Sequence, residues 1–394
     1  MKITAIRATP VTIPMDIPFF WSVGLYPGTS KTIIEVETDE GIVGLGESPS
    51  WDCTEVINKN MAPRLIGQDP IDIAGCEMRC VPEWRVVQNT DDASVDKAFG
   101  GIEIALWDIR GKAWNKPLYE LLGGAVRKKI PFTEYFCYRI EKESRGGERS
   151  PEAITDYCLR MRDEHGSTFF EGKLTVGDPE LEIKTVKMLR EQLGEKAMIR
   201  LDSNMAWSLS TARRVLREIE PYNIRNYEDP VATFEEMAQL RKNSAIPFSS
   251  HIPDIRRAVA LGTPDNIVTN FAVLGGIGRA VRFIGACEAM GIGFWCYSGD
   301  AGVCNAAYLH MTAATQWIHE PSQSLFRWQT DDVIEEGPFR QTNNIIQVPE
   351  GPGLGVTLSP KAIKRCHDRF VNEGPIHHYY DPDCPDRLRR LPLN

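Results

Sequence analysis

The chain has no apolar run long enough to cross a membrane, and its N-terminus, Met1-Lys2-Ile3-Thr4, lacks the apolar core of a signal peptide. The chain also lacks an excess of positive charge: its 54 Asp and Glu residues outnumber its 45 Lys and Arg residues, which gives a formal net charge of −9. A dedicated surface for nucleic acid or anionic membranes is therefore not expected. We expect a cytoplasmic protein with no nucleic-acid or membrane partner.

Motifs for zinc and for nucleotides are missing as well. The ten cysteines include no C-x-x-C pair, and the seven histidines show no metal-type spacing beyond His377-His378, a pair more typical of a surface. In a reducing compartment, we expect most of the cysteines to be small core residues. No glycine-rich fingerprint opens a predicted helix, which argues against a dinucleotide-binding fold.

The N-terminal pattern predicts an α+β unit. Residues 3–14, 31–38 and 42–47 alternate between apolar and polar, as in an antiparallel meander. Between the first two runs, residues 17–27 are rich in Pro, Gly and aromatic residues, which predicts a loop that packs on a neighbouring domain or closes over a ligand. Helical patterns follow to about residue 123, with one long helix predicted over 98–122.

From about residue 129, short apolar runs each precede an amphipathic helix. The pairs are 169–176 with 179–193, 197–202 with 209–219, 224–228 with 234–242, 247–251 with 253–261, 267–272 with 277–290, and 293–296 with 302–315. Six or seven consecutive units favour a closed β/α barrel over an open sheet. The final fifty residues have the composition of an irregular tail.

Two acidic signatures end neighbouring apolar runs: Asp202 in Leu-Asp-Ser-Asn and Glu228 in Asn-Tyr-Glu-Asp-Pro. The carboxyl ends of parallel barrel strands meet on one face, where carboxylates can share a hard cation such as Mg²⁺. The alternative is that Asp202 caps the following helix and Glu228 forms a local ion pair.

Five motifs occur in order along the chain: residues 101–112 leading to 117–124, Asp202-x-Asn204, Glu228-Asp229-Pro230, Leu274-Gly275-Gly276, and 349–355. With these motifs the chain resembles the mandelate racemase and muconate lactonizing enzyme branch of the enolase superfamily. The resemblance runs from residue 1 to about 360. It implies an α/β fold, a modified TIM barrel (β/α)₇β with an N-terminal α+β capping domain. The implied division is 1–125 for the cap, 126–345 for the barrel, and 346–394 for a segment returning to the cap plus an irregular tail.

The resemblance also implies one Mg²⁺ per subunit, held on three consecutive strand ends, and removal of a proton α to a substrate carboxylate to give an enediolate. Asp202 and Glu228 match the first two ligands. The third position falls on His251, with Asp254 as the competing ligand; His251 could instead contact substrate or cap the next helix. Asn204 faces the same way as Asp202 and is a candidate substrate contact.

The base strand of such proteins ends in Lys-x-Lys, and the matching strand here is Glu171-Gly172-Lys173-Leu174-Thr175. One register places Lys173 at the base position, and the other places Thr175 there. Strand alternation lets Glu171, Lys173 and Thr175 share a face, so Glu171 and Thr175 are candidate substrate contacts. We predict that Lys173 is the base, because it is the strong proton acceptor on that strand. The alternative is a structural ion pair between Lys173 and Glu171.

The opposite face of the site departs from the resembled pattern. The aspartate of the His–Asp dyad is replaced by Asn270, a candidate substrate contact, and residues 295–300 contain no histidine. Tyr297 and Asp300 remain there as candidate catalytic acids. Trp21 and Trp328 are candidate contacts for a substrate less polar than a simple hexarate.

Racemisation needs a base on each face of the substrate, so the missing dyad disfavours it. The leading hypothesis is dehydration of a sugar acid or related hydroxy acid by a single base. The alternatives are a cycloisomerase or racemase of a carboxylate or lactone, and a member that binds a carboxylate ligand without catalysis. Relatives suggested by the resemblance commonly form homo-oligomers.

Overall fold

The computed structural model describes residues 1–82, 94–174, 177–382 and 384–393. Its N-terminal part is an antiparallel sheet of β1 (Ile3–Trp21), β2 (Gly24–Thr38) and β3 (Val43–Ser48), in that order. The helices that follow are α1 (Cys53–Val56), α2 (Ala62–Leu65), α3 (Ile73–Cys80), α4 (Ser94–Ala113) and α5 (Leu118–Leu121), with a π-helical turn at Ile57–Met61. The predicted meander followed by helices is confirmed.

The loop predicted over residues 17–27 is wrong, because β1 and β2 continue through it as one long hairpin. Ile17 and Phe19 are buried while Pro18 is partly exposed, which is the alternation of a strand. Prolines are tolerated because β1 is an edge strand, where a missing N–H leaves no ladder bond unmade.

The single helix predicted over residues 98–122 is also wrong. The structure ends α4 at Ala113 and begins α5 at Leu118. Asn115, between them, adopts the left-handed region with φ 53°, and Pro117 precedes α5 in an extended conformation. Proline has no N–H to continue a helix, so the chain turns here.

The second part begins at β4. Its strands are β4 (Lys129–Pro131), β5 (Glu134–Cys137), β6 (Glu141–Lys142), β7 (Arg145–Gly146), β8 (Phe169–Lys173), β9 (Met198–Asp202), β10 (Asn226–Glu228), β11 (Phe248–Ser250), β12 (Asn266–Thr269), β13 (Gly293–Ser298), β14 (Gln323–Ser324) and β15 (Ile345–Gln347). Its helices are α6 (Pro151–His165), α7 (Pro179–Leu193), α8 (Leu209–Ile219), α9 (Phe234–Arg241), α10 (Ile255–Leu261), α11 (Phe271–Leu274), α12 (Ile277–Met290), α13 (Gly302–Ala314) and α14 (Pro360–Glu373).

Strands β5 and β8 to β14 are parallel neighbours in one sheet, and the sheet closes on itself. At the closure, the Thr133 N–H donates to the carbonyl of Ser322 (2.9 Å), and the Ser322 N–H donates to the carbonyl of Pro131 (3.1 Å). A helix joins each consecutive pair of these eight strands. The predicted (β/α)₇β barrel with an N-terminal α+β cap is confirmed.

After the barrel, the chain returns to the N-terminal sheet. β15 pairs with β4, and α14 packs on β1, where Arg369 Nη1 donates to the carbonyl of Thr12 (3.0 Å). The prediction of irregular chain is wrong for α14. Its boundaries carry ordinary signals, with Pro360 in the first turn and Gly374 after the last residue.

One hydrophobic core joins the two parts. Val11 and Ile13 of β1 belong to the same buried cluster as Phe170 and Ile199 of the barrel strands. The long hairpin is thereby held against the barrel. Across the described ranges, none of the helices combines the length and apolar character that crossing a membrane requires.

Candidate active site

Three of the predicted residues come together at the carboxyl ends of consecutive strands. Asp202 ends β9, Glu228 ends β10, and His251 follows β11. Each offers one ligand atom, and these atoms lie within 4.8 Å of one another. Register explains the proximity, because Glu228 is the direct cross-strand partner of Asp202. Asp202 does not cap α8, since Ser208 does.

The hydrogen bond that His251 makes through Nδ1 leaves Nε2 as the ring nitrogen that can bind a cation. Nδ1 lies 3.0 Å from the carbonyl oxygen of Val268, which can only accept, so Nδ1 carries the hydrogen. Nε2 lies 2.6 Å from Glu228 Oε1 and, once it has released its own proton, can present its lone pair to a cation. A backbone carbonyl that orients a ligating imidazole in this way is usual in metal sites.

The charges at this cluster also fit a divalent cation. Burial, then the charge of Asp202, raises the pKa of Glu228 to about 7. Burial would lower the pKa of His251, but the carboxylate of Glu228 outweighs it and raises that pKa to about 9. Glu228 Oε1 is buried, and the group next to it is His251 Nε2, whose proton a cation would replace. A cation between two carboxylates and an imidazole would satisfy all three groups.

Asp254 is not part of this group. Its carboxylate caps α10 by accepting the N–H of Arg257 (3.0 Å), so the prediction of Asp254 as competing ligand is wrong. His251 does not cap that helix either.

Lys173 ends β8, directly across from Asp202 in the sheet, and its Nζ is ion-paired with Asp202 Oδ2. Its side chain is nearly buried and lines a cavity of about 340 Å³ above the strand ends. Burial would lower the pKa of Lys173, but the carboxylates of Asp202 and Glu228 outweigh it and raise the pKa. Thr175 lies outside the described residues.

Glu171 lies one layer below Lys173 and is fully buried. Arg200 Nη1 donates to its Oε2 (3.2 Å), so the alternative of a Lys173–Glu171 ion pair is wrong. Gln323 Nε2 donates to Glu171 Oε1 (2.6 Å) and also to Glu228. Glu171 does not line the cavity, which contradicts its prediction as a substrate contact. It supports Glu228 through Gln323 instead.

Asn204, Asn270, Tyr297 and Trp21 all line the cavity, as predicted for contacts. The Asn204 N–H donates to Asp202 Oδ1 (2.6 Å), which helps to fix that carboxylate. Asn270 also caps α11, and Tyr297 packs edge-on against His251 at 4.6 Å between ring centroids. Trp328 is not on the wall: it is buried behind Phe19, so its prediction as a substrate contact is wrong.

Asp300 lines the cavity but is ion-paired with Lys31 of β2, at 2.5 Å from Nζ to Oδ1. Sequence reasoning missed Lys31. The available signal was a lysine within residues 28–34, a stretch of β2 that is buried throughout, because lysine is seldom fully buried without a partner.

The C-terminal tail supplies a second missed residue. His378 lines the cavity, stacks on Tyr26 at 4.2 Å between ring centroids, and lies with Nε2 2.9 Å from the carbonyl of Gly28. Trp21 Nε1 donates to the carbonyl of His378 (2.7 Å). The expectation that His377-His378 is a surface pair is therefore wrong for His378. The pair carries no spacing signal, because only the fold brings the tail to the hairpin.

Comparisons with known proteins cover almost the whole chain. Residues 2–123 match the family model for the mandelate racemase / muconate lactonizing enzyme N-terminal domain, and residues 153–362 match that for the enolase C-terminal domain-like family. The chain is 27% identical to the probable glucarate dehydratase of Streptomyces coelicolor, over 95% of this chain and 93% of that protein. It is also 27% identical to the chloromuconate cycloisomerase of Pseudomonas putida, over 92% and 98%.

A solved structure agrees with these matches. An enolase from Thermobispora bispora, complexed with magnesium and formate, superposes with a TM-score of 0.86 at 27% identity, over 95% of this chain and 94% of that one. The likeness extends through both the N-terminal sheet and the barrel.

Proposed function

Because the chain belongs to the mandelate racemase and muconate lactonizing enzyme family of the enolase superfamily, we propose that it removes the proton next to a substrate carboxylate and dehydrates a sugar acid or related hydroxy acid. Dehydratases are lyases and cycloisomerases are isomerases, so family membership makes this chain an enzyme of that group. The observation that supports this proposal is that Lys173 lines the cavity and lies beside the cluster of Asp202, Glu228 and His251.

Asp202, Glu228 and His251 would hold Mg²⁺. When bound, Mg²⁺ offsets the charge of the two carboxylates, which lowers the pKa of Lys173, and stabilises negative charge developing on the substrate carboxylate. Lys173 Nζ then accepts the α-proton, and the hydroxyl on the neighbouring carbon leaves as water when it is protonated. Tyr297 lines the cavity and is the proposed acid that protonates this hydroxyl, while Asp300, the ionised partner of Lys31, would orient the hydroxyl by accepting a hydrogen bond.

Lys31 supports a one-base reaction rather than racemisation. Burial would lower the pKa of Lys31, but Asp300 outweighs it and raises the pKa, so Lys31 stays protonated. Lys31 has no contact with the proposed metal ligands that could reverse this shift. Of the two lysines that line the cavity in the described part of the chain, Lys173 is therefore the one placed to act as a base.

The test is α-proton exchange in D₂O, followed by mass spectrometry across a library of sugar acids, hydroxy acids and lactones. We expect deuterium uptake or loss of water that requires Mg²⁺ and stops with chelator. Lys173→Ala should abolish it. The matched control is Lys184→Ala, since Lys184 is half exposed on an outer helix and paired with Glu152. Exchange that survives in Lys173→Ala would exclude Lys173 as the base.

We also propose a cellular location, domain boundaries, a ligand class and an oligomeric state. A cytoplasmic location is supported by the ten cysteines, which are all unpaired in the described part of the chain, nine of them buried. The division at residues 125 and 345, the small-carboxylate ligand and a homo-oligomer follow from the family resemblance. Light scattering after size exclusion tests the oligomer.

A further inference from the structure

The cavity wall formed by β2 and β13 carries a buried charge cluster. Lys31 and Asp300 line the cavity with side chains that are 8% and 4% exposed. Behind them, Glu47 of β3 accepts the N–H groups of Ala301 (2.7 Å) and Cys304 (2.9 Å). We call Lys31, Asp300 and Glu47 the far wall. It contains one cation and two acidic groups.

The charges of the far wall leave no uncompensated cation for a second substrate carboxylate. Asp300 already compensates Lys31, and Glu47 adds a further acidic group. A carboxylate placed here would meet Asp300 as a like charge in a desolvated site, which costs affinity. A hydroxyl or other neutral oxygen can accept a hydrogen bond from Lys31 without this repulsion.

A second feature of the cavity is a set of contiguous rings. Phe19, Trp21 and Tyr26 of the hairpin and His378 of the tail line it, and we call them the aromatic wall. Phe19 and Tyr26 stack at 4.9 Å, and Tyr26 stacks on His378 at 4.2 Å. Such a wall gives a large apolar contact area but few partners for several sugar hydroxyls.

From these two features we propose that the site binds a monocarboxylic acid whose far part is apolar and carries a neutral oxygen group, and that it discriminates against sugar diacids such as glucarate. This inference rests on the proposed function, because the single carboxylate is held beside Lys173. It separates this chain from the glucarate dehydratase relative, since glucarate has a carboxylate at each end.

Titration calorimetry in Mg²⁺ tests the proposal with three acids. Glucarate and gluconate share a six-carbon chain and differ at the far end, and 3-phenyllactate adds a ring to a monocarboxylate. We expect gluconate to bind about tenfold more tightly than glucarate, and 3-phenyllactate more tightly than gluconate. Glucarate binding more tightly than gluconate would overturn the inference.

Two variants probe the two walls separately. Asp300→Asn leaves the charge of Lys31 uncompensated, so the glucarate-to-gluconate affinity ratio should rise about tenfold. Because Asp300→Asn leaves a buried lysine without its ion-pair partner and is expected to lower stability, Trp21→Ala gives an independent test. It should weaken 3-phenyllactate binding about tenfold and change gluconate binding far less. The matched control is Trp114→Ala, since Trp114 is 54% exposed and lies outside the cavity wall.

The outcomes separate the inference from the proposed function. If none of the three acids binds while Mg²⁺ is bound, the inference is contradicted, and the proposed function is contradicted as well only if no acid of the library shows Mg²⁺-dependent exchange. If Mg²⁺-dependent proton exchange is present but the affinity ratios stay unchanged in folded Asp300→Asn and Trp21→Ala, the inference alone is wrong.

Discussion

Two buried lysines line the same cavity, and their partners differ in one respect. Lys173 pairs with Asp202, and Lys31 pairs with Asp300. Burial opposes the charge of both lysines, and the neighbouring carboxylates outweigh it in both, so both pKa values are raised. Only the carboxylate beside Lys173 belongs to a cluster that can take a cation. A buried lysine that is paired with an aspartate is therefore not, for that reason alone, a base. What decides is whether the aspartate can also bind a metal ion, whose charge then lowers the pKa of the lysine.

The largest expected effect separates the two lysines kinetically. Lys173→Ala should lower the rate of α-proton exchange by about 1000-fold, because it removes the base. Lys31→Met should instead raise KM by about tenfold with a much smaller change in kcat, because it removes a binding contact. Steady-state kinetics on the acid identified by exchange gives both numbers. A kcat loss in Lys31→Met as large as that in Lys173→Ala would break the distinction.

The next largest expected effect is a loss of Mg²⁺ affinity at the cluster of Asp202, Glu228 and His251, which lies beside Lys173 and not beside Lys31. Glu228→Gln removes one negative ligand without changing size, and we expect Mg²⁺ affinity to fall by about 100-fold. Isothermal titration with Mg²⁺ measures it without any substrate. Asp300→Asn is the matched carboxylate variant, since Asp300 is equally buried but outside the cluster. Equal losses in the two variants would contradict the assignment of ligands.

A smaller loss of Mg²⁺ affinity is expected from a change at Gln323, which contacts the cluster through Glu228. Gln323 donates from one amide nitrogen to both Glu171 and Glu228, so Gln323→Leu leaves two buried carboxylates without that donor. We expect Mg²⁺ affinity to fall by about tenfold while the α-proton acceptor remains in place. The same titration checks it. Unchanged affinity would reduce Gln323 to a packing role.

The smallest expected effect is the pH dependence of stability that arises from Glu47 of the far wall. Burial, then the charge of Asp300, raises the pKa of Glu47 to about 8, from 4.5. The folded protein therefore holds a proton that the unfolded chain releases. Its contribution to stability is complete below about pH 4.5 and is lost as pH rises to 8, at about 1.4 kcal/mol per pH unit. Glu47→Gln should make the pH dependence of the free energy of unfolding shallower by this amount, while other buried acids such as Glu103, whose pKa is raised to about 7, keep their own contribution. Urea unfolding at pH 6, 7 and 8 measures the slope, and parallel slopes in wild type and variant would refute it.

Sequence reasoning succeeded where chemistry and local pattern coincide. Helices α7, α8 and α12 were predicted to the residue, because each has an amphipathic face and clear end signals. The proximity of Asp202, Glu228 and Lys173 can be predicted from the sequence because each ends a strand of a repeating unit, and the ends of parallel strands meet. The hairpin through residues 17–27 and helix α14 are hard to predict, because prolines interrupt the alternation of the first and an irregular overall composition hides the end signals of the second.

The sequence by itself determined the barrel, the cap and the three strand ends that form the candidate metal cluster, because the period of the apolar runs and the place of each acid at the end of a run are local properties, and ordered motifs carry the family resemblance. Only the tertiary structure decided the other side of the cavity. Lys31, Asp300 and His378 come from distant parts of the chain, and no spacing connects them. Their pairing depends on how the hairpin and the tail pack on the barrel, which is a property of the assembled core rather than of any one segment.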